Sequence, residues 1–426
     1  MSPFAYYRAA LLQYLATYCR LPLIRVARKA VSELRRTANL ERSDRPRQLL
    51  IDISIIAAND AGTGIQRTVR SLLRELISST PAGYVVRPVR ATRKHPYVYA
   101  DHYLASTTCA PLSGSETRVH VEAGDLFIGL DLASRIAPKR QRDFLAWHAR
   151  GVRFSFVVYD MLPQFHPEWF TPLAVRSFEY WVTMLAIHAD TLFCISATVA
   201  GEVGRLPQLS SIPRRWFHLG VDSRQTSTQH DLRKTTHDSS EGARCRRDAP
   251  QILMVGTIEP RKGHRLVLEA FERLWRNDVD VSLVVVGRSG WAVAPLIAYL
   301  ENHPEFGKRL QWYREADEAT LSRLYKTSDG LILASEGEGF GLPIIEASNY
   351  RLPLLLRDLP IFREIASTYA SYFSAVDADE LAPQIQRWLT AIATRTTPDS
   401  SGIQPLSWQA SALQFKALIT QLADSA

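Results

Sequence analysis

GLILASEGEGFGLPIIEA, residues 330–347, runs from a short aliphatic stretch into a glycine-rich turn and out into a segment opened by proline. The leading run, GLILAS, is a strand of the continuous aliphatic type found in buried parallel sheets. Gly337, Gly339 and Gly341 let the backbone turn tightly and approach a ligand, and Pro343 opens a helix whose first N–H groups and dipole face that ligand. Phe340 and Leu342 complete the turn. Such a turn is a nest for phosphate or for the polar atoms of a sugar. Glu338 lies in the loop and Glu346 inside the helix. Carboxylates accept paired hydrogen bonds from vicinal hydroxyls, which suits one for a sugar and the other for a ribose.

Outward from this segment, short strands alternate with helical stretches from Leu49 onward. The candidate strands are LLIDISII, YVVRPVR, GDLFIGLDL, VRFSFVVYD and ADTLFCIS, then QILMVG, VSLVVVG, GLILAS and LPLLL. Alternation of this kind predicts α/β, doubly wound parallel sheets, whose ligands bind beyond the carboxyl ends of the strands. Between them, residues 223–250 hold Leu232 as their single large aliphatic residue and read as a polar linker. The expected organisation is a basic helical arm over 1–48, an α/β domain over 49–222, the linker over 223–250, a second α/β domain over 251–397 and a helical tail over 398–426.

At 426 residues, 46% hydrophobic and 22% charged, the chain has enough apolar content for two such cores, which excludes a disordered or disulfide-stapled protein. Cys19, Cys109, Cys194 and Cys245 lie far apart, with no zinc spacing, and suit a reducing compartment, so a cytoplasmic location is expected. The formal charge of +8 is concentrated in the first fifty residues, which carry ten Arg/Lys against three Asp/Glu. A local basic segment on a neutral body points to a local anionic partner, not to a nucleic-acid-binding surface. Only eleven uncharged residues separate Arg8 from Arg20, too few to span a bilayer, and no signal-peptide cleavage pattern follows. After Pro22, the residues Ile24, Ala27, Val31 and Leu34 share one helical face beside Arg25, Lys29 and Arg36. That face either lies in an anionic membrane surface or packs on the protein body. Tyr6, Tyr7, Tyr14 and Tyr18 weigh toward the membrane interface.

The segment EGFGLPIIE resembles the signature of retaining glycosyltransferases of the GT-B fold, family 4, and further segments follow in the family's order. GTIEPRKGH, from Gly256 to His264, is similar to the turn in which an Arg/Lys pair grips the donor diphosphate, a place filled here by Arg261 and Lys262. GRSGW, DLPIFREIA and LSW, and in the first domain DAGTGIQRTVRSLL, YDMLPQFHPEWF, CIS and FHLGVD, resemble family segments too. The likeness is to bacterial surface-polysaccharide members, many of which transfer mannose. It implies two Rossmann-like domains facing across a cleft that closes on the donor. It further implies a nucleotide-sugar donor, GDP-mannose, a lipid-linked saccharide acceptor and a peripheral place on the inner face of the cell membrane.

Within that resemblance Glu338 holds sugar hydroxyls, Glu346 the ribose, and Arg261 with Lys262 the diphosphate, so no cofactor and no metal is expected. The loop carrying Gly62 and Gly64 approaches the donor phosphates and the acceptor, although an ordinary strand-to-helix turn reads as well. Asp160 is open between a role at the reacting sugar and a helix cap. Many family members have His-Asp where this chain has Tyr159-Asp160, and tyrosine is a poor proton acceptor at neutral pH; His166, before a proline, is more simply structural. Asp278-Val279-Asp280 and Asp377-Ala378-Asp379 spell a metal-binding DxD but read as turn and cap residues. Alternatives to transfer are a nucleotide-sugar epimerase of similar fold and a catalytically silent scaffold of a polysaccharide assembly complex.

Overall fold

The computed structural model describes residues 3–36, 44–100, 103, 117–222 and 249–424. The chain divides into two compact units, Met1–Gly220 with Trp408–Ala426, and Val221–Ser407. Most of the linker expected at 223–250 lies outside the described residues, as do Cys109 and Cys245.

The first unit is built on β1 (Arg47–Asp52), β2 (Tyr84–Arg90), β3 (Val98–Tyr99), β4 (Leu126–Gly129), β5 (Arg153–Val158), β6 (Thr191–Cys194) and β7 (Arg214–Trp216). Their order in the sheet is β3-β2-β1-β4-β5-β6-β7. All pairs are parallel except β2 with β3. Leu49, Leu50 and Ile51 of β1 register with Leu126, Phe127 and Ile128 of β4, and all six are buried. This is the double winding that the aliphatic runs predict.

The second unit begins within a short strand, β8 (Gly220–Val221). Its sheet comprises β9 (Gln251–Val255), β10 (Ser282–Val286), β11 (Leu310–Tyr313), β12 (Gly330–Leu333), β13 (Leu354–Arg357) and β14 (Ser371–Phe373). The order is β11-β10-β9-β12-β13-β14, every pair parallel. From β9 the chain winds outward one way and then, from β12, the other. The β9/β12 neighbours therefore mark the switch point, where an open α/β sheet offers a crevice.

The N-terminal segment forms α1 (Pro3–Tyr18) and α2 (Ile24–Arg36). The apolar face of α2 is taken up by the body: Ala27, Ala30, Val31 and Leu34 cluster with Leu145 and Ile187. Arg28 donates to the Ala186 carbonyl at 2.9 Å, and Arg35 reaches both oxygens of Asp190 at 2.9 and 2.7 Å. Of the two readings of this face, packing is the one realised, and Arg25, Lys29 and Arg36 form an exposed basic edge. Polar contacts tie α1 down as well. His188 Nε2 lies 3.1 Å from Gln13 Oε1 and 3.2 Å from Gln141 Oε1, in a site whose burial pushes the imidazole down to about 3 and keeps it neutral.

The C-terminal helix (Trp408–Asp424) belongs to the first unit. Phe415 stacks on Phe217 with ring centroids 4.8 Å apart, and Ala412 and Ile419 are fully buried. The tail is thus core of the first unit, because its apolar residues recur on one helical face.

Candidate active site

Two loops meet at the switch point of the second unit. The first follows β9. Gly256 closes the strand with its N–H on the Val286 carbonyl at 2.9 Å, and Pro260–Lys262 forms one turn of 3-10 helix. Gly263, at φ +72°, then starts the helix His264–Arg276. A Cβ on Gly263 would lie 2.4 Å from the Ala334 carbonyl oxygen, so only glycine lets this loop approach the loop after β12 so closely.

That contact is sealed by Arg261. Its carbonyl accepts from the Glu336 N–H at 2.7 Å, and its guanidinium Nη1 donates to the Gly337 carbonyl at 2.7 Å. The same Nη1 reaches Glu338 Oε2 at 3.2 Å, while Nη2 lies 3.0 Å from Glu259 Oε2. Glu338 Oε1 accepts from Lys262 Nζ and, at 2.7 Å, from the Ser335 hydroxyl. The four charged side chains are 10–17% exposed. Burial pushes the Glu338 carboxyl up, but the Lys262 and Arg261 charges and the hydrogen bonds outweigh it and bring it down to about 2. Two cations and two carboxylates thus form one fixed, nearly dry cluster.

Of the residues singled out in the sequence, the structure brings Arg261, Lys262 and Glu338 together, with Gly256 beside them: a Cβ there would lie 3.8 Å from the Lys262 chain. Gly339 and Phe340 are buried in the same loop, and Leu342 opens the helix Leu342–Asn349 after Gly341, at φ +97°. A Cβ on Gly341 would press on Phe362 at 3.0 Å. Glu346 is 5% exposed, and its Oε2 accepts from the Tyr325 hydroxyl at 2.6 Å. Tyr325 in turn stacks on Tyr350. The two glutamates therefore have separate hydrogen-bond partners. Sequence reading missed Glu259 and Ser335, which stood inside quoted segments, and also Tyr325 and Arg357. The Arg357 guanidinium holds the Ala334 carbonyl at 3.1 Å and that of Ala375 at 3.0 Å.

In the first unit Gly62, at φ +67°, and Gly64 are exposed at the end of a loop that follows β1. The loop is anchored from below: Asp131 Oδ2 accepts from the Ile55 and Ile56 N–H groups at 2.8 Å each, and Asp52 accepts from Ser54 and, at 2.8 Å, from the Tyr97 hydroxyl. Thr63 and Gln66 cap each other at the start of the helix Gly64–Ser78. Asp160 Oδ1 accepts from the Leu162 N–H at 3.1 Å, a turn-capping bond. Its charge, with burial as the larger cause, helps push the Glu202 carboxyl up to about 7. Tyr159 is buried and spends its proton on the Leu130 carbonyl at 2.8 Å. His166 stacks on Trp169 at 3.9 Å and pairs with Glu168 at the surface. Asp377 caps the helix Ala378–Ala393, and Asp278 sits in a turn at φ +57°. Among the described residues no group of three His, Cys, Asp or Glu side chains is placed to hold a metal ion.

Two doubly wound sheets of this kind are the architecture of the GT-B fold. A solved structure of that kind, HepE from Anabaena in complex with UDP and glucose, matches with a TM-score of 0.57 at 14% identity, covering 89% of this chain and 100% of that one. Residues 238–400 match the family described as Glycosyl transferases group 1. The chain is 39% identical over 377 residues to the serotype-specific mannosyltransferase WbdA of Escherichia coli, covering 86% of this chain and 45% of that protein. It is 22% identical over 223 residues to the O-antigen chain mannosyltransferase RfbU of Salmonella typhimurium, covering 52% of this chain and 57% of that one. The chain thus spans about half the length of the curated relatives it matches.

Proposed function

We propose that this chain is a retaining glycosyltransferase that moves a mannosyl residue from GDP-mannose onto a lipid-linked saccharide in O-antigen or exopolysaccharide synthesis, at the inner face of the cell membrane. The observation that carries the reading is the Arg261–Lys262–Glu338 cluster at the switch point. Breaking a sugar–diphosphate bond leaves negative charge on the departing phosphate oxygen, and two fixed cations in a nearly dry site stabilise it as it forms. The relatives' names support mannose as the sugar, and the UDP and glucose bound to HepE support a nucleotide-sugar donor.

In this reading the acceptor hydroxyl oxygen bonds to the anomeric carbon on the face that the diphosphate leaves. The bond from carbon to phosphate oxygen breaks with its electron pair on that oxygen, which also takes the acceptor's proton. No protein nucleophile and no metal enters. Glu338 receives sugar hydroxyls and Glu346 the ribose. Gly256 and the turn Gly339, Phe340, Gly341 and Leu342 supply backbone close to the donor. The first unit, with Gly62, Gly64 and Asp160, serves the acceptor and the donor phosphates.

The test is thermal stabilisation by GDP, UDP, ADP and dTDP and their sugars, in wild type and Arg261→Ala. Selective stabilisation by GDP and GDP-mannose, lost in the variant, is expected. A preference for UDP discards mannose, and no response to any nucleotide from a folded protein refutes the reading.

A further inference from the structure

Helix α1 inverts the usual sorting of side chains. Toward the body it sends Ala9 and Ala16 with Gln13 and Thr17, all buried, while Phe4, Tyr7, Leu11 and Tyr14 are 78, 71, 58 and 56% exposed. Spaced three and four residues apart, these four make one stripe along the helix. The helix has no acidic residue. Beside the stripe Arg8 bonds to Glu33, the one acidic residue of α2, at 3.2 Å. Arg25, Lys29 and Arg36 are exposed on α2, which packs along α1.

An apolar stripe along a helix is ordinarily covered, and here the body covers only the opposite face. Aromatic and aliphatic side chains next to cations, with the neighbouring acid already paired, match the boundary between water and an anionic bilayer. A second copy of this chain is a poorer fit, because a two-fold pairing on this face would bring its basic edges toward each other. We infer that α1 lies in the headgroup layer of an anionic phospholipid membrane, with Phe4, Tyr7, Leu11 and Tyr14 toward the acyl chains and Arg25, Lys29 and Arg36 on the phosphates. The inference rests on the reading of a lipid-linked acceptor. It moves the docking face from α2, where sequence periodicity puts it, to α1. Among the described residues no helix is long and apolar enough to cross a membrane, so this contact is made from one side.

Flotation of the full chain with vesicles of phosphatidylcholine, or of an equimolar mixture with phosphatidylglycerol, tests it. Wild type is expected to float with the anionic vesicles and not with the neutral ones. The variant Phe4→Ser/Tyr7→Ser/Leu11→Ser remains at the bottom with both. Arg25→Gln/Lys29→Gln/Arg36→Gln partitions about a hundredfold more weakly into anionic vesicles, at the roughly fivefold that each surface cation contributes. All six positions being exposed, the variants are expected to melt as wild type does. Transfer from the donor to a water-soluble acceptor is unchanged in them, so loss of flotation and failure of the transferase reading are told apart. A stripe variant that floats like wild type overturns the inference, and so does a wild-type dimer in light scattering that the same substitutions dissolve.

Discussion

Replacing Glu338 by glutamine removes the charge that Arg261 and Lys262 share while leaving a side chain of the same size to accept from Ser335. Burial opposes ionisation of this carboxyl, yet the neighbouring cations bring it from 4.5 down to about 2. At roughly 1.4 kcal/mol for each tenfold change in acidity, the ionised form is favoured by about 3 kcal/mol in the folded chain. Because the folded value is depressed, this stabilisation is complete above the ordinary value near 4.5 and is lost as the pH falls through about 2. Glu338→Gln carries the uncharged form at every pH. It is therefore expected to melt about 5–10 °C below wild type at pH 7, with the gap closing as the pH is lowered from about 4.5 toward 2. Nucleotide binding moves the other way. A diphosphate no longer competes with the carboxylate for two cations, and GDP binds about tenfold more tightly, a fraction of the roughly 4 kcal/mol felt by one charge at about 4 Å from another under an effective dielectric constant near 20. In the proposed function the sugar also loses its carboxylate, so transfer to acceptor is expected to fall all the same. Differential scanning fluorimetry across pH and titration calorimetry with GDP read the two effects. A variant that binds GDP more weakly than wild type, or a melting gap that persists at low pH, refutes the reasoning.

Gly263→Ala forces a residue with a side chain into φ +72°, with its Cβ 2.4 Å from the Ala334 carbonyl. It is expected to cost at least about 2 kcal/mol in urea unfolding and to weaken GDP binding by displacing Lys262, and wild-type values in both would refute the packing argument. Asp52→Asn probes the loop under Gly62. Burial, reinforced by Asp131 and opposed by the Ser54 and Tyr97 bonds, raises the Asp52 carboxyl from 3.8 to about 7. A raised folded value means stability that is full below 3.8 and lost as the pH rises through about 7. Between those limits wild type is expected to lose up to about 4 kcal/mol relative to the variant, and parallel unfolding profiles would contradict this.

The central strands were legible because a strand buried on both faces must be aliphatic throughout. QILMVG, VSLVVVG and GLILAS contain β9, β10 and β12, the three that position the cluster. The edge strands gave no such signal: Val98–Tyr99, Arg214–Trp216 and Ser371–Phe373 are two or three residues long and half-buried in part, and LQWY of β11 shows three of its four residues partly exposed. Glu338 was legible by residue type within a glycine turn that follows a strand, and Arg261 with Lys262 by the resemblance of GTIEPRKGH to a family segment. Tyr325 and Arg357 were not, because each meets its partner through the sheet order and not through local spacing. The N-terminal helices divide in the same way. Periodicity identified the apolar face of α2 but carried no information on what covers it. On α1 alanines on one side and aromatics on the other blur any periodicity, and only burial separates them.

The cluster itself carries a consequence for donor selection. With Glu259 and Glu338 already matching Arg261 and Lys262, the site has no surplus positive charge to attract a neutral sugar or a single weak anion. Both cations are also held by backbone or carboxylate contacts before any ligand arrives, so little ordering cost remains to be met on binding. A ligand that competes with two carboxylates at once needs two adjacent negative groups at a spacing that Arg261 and Lys262 can bridge, and a diphosphate has them. In the proposed function, selection by charge then falls on the diphosphate, while the choice among bases and sugars falls on contacts outside the cluster. That division is why Arg261→Ala is expected to abolish stabilisation by every nucleotide, whichever one the protein prefers.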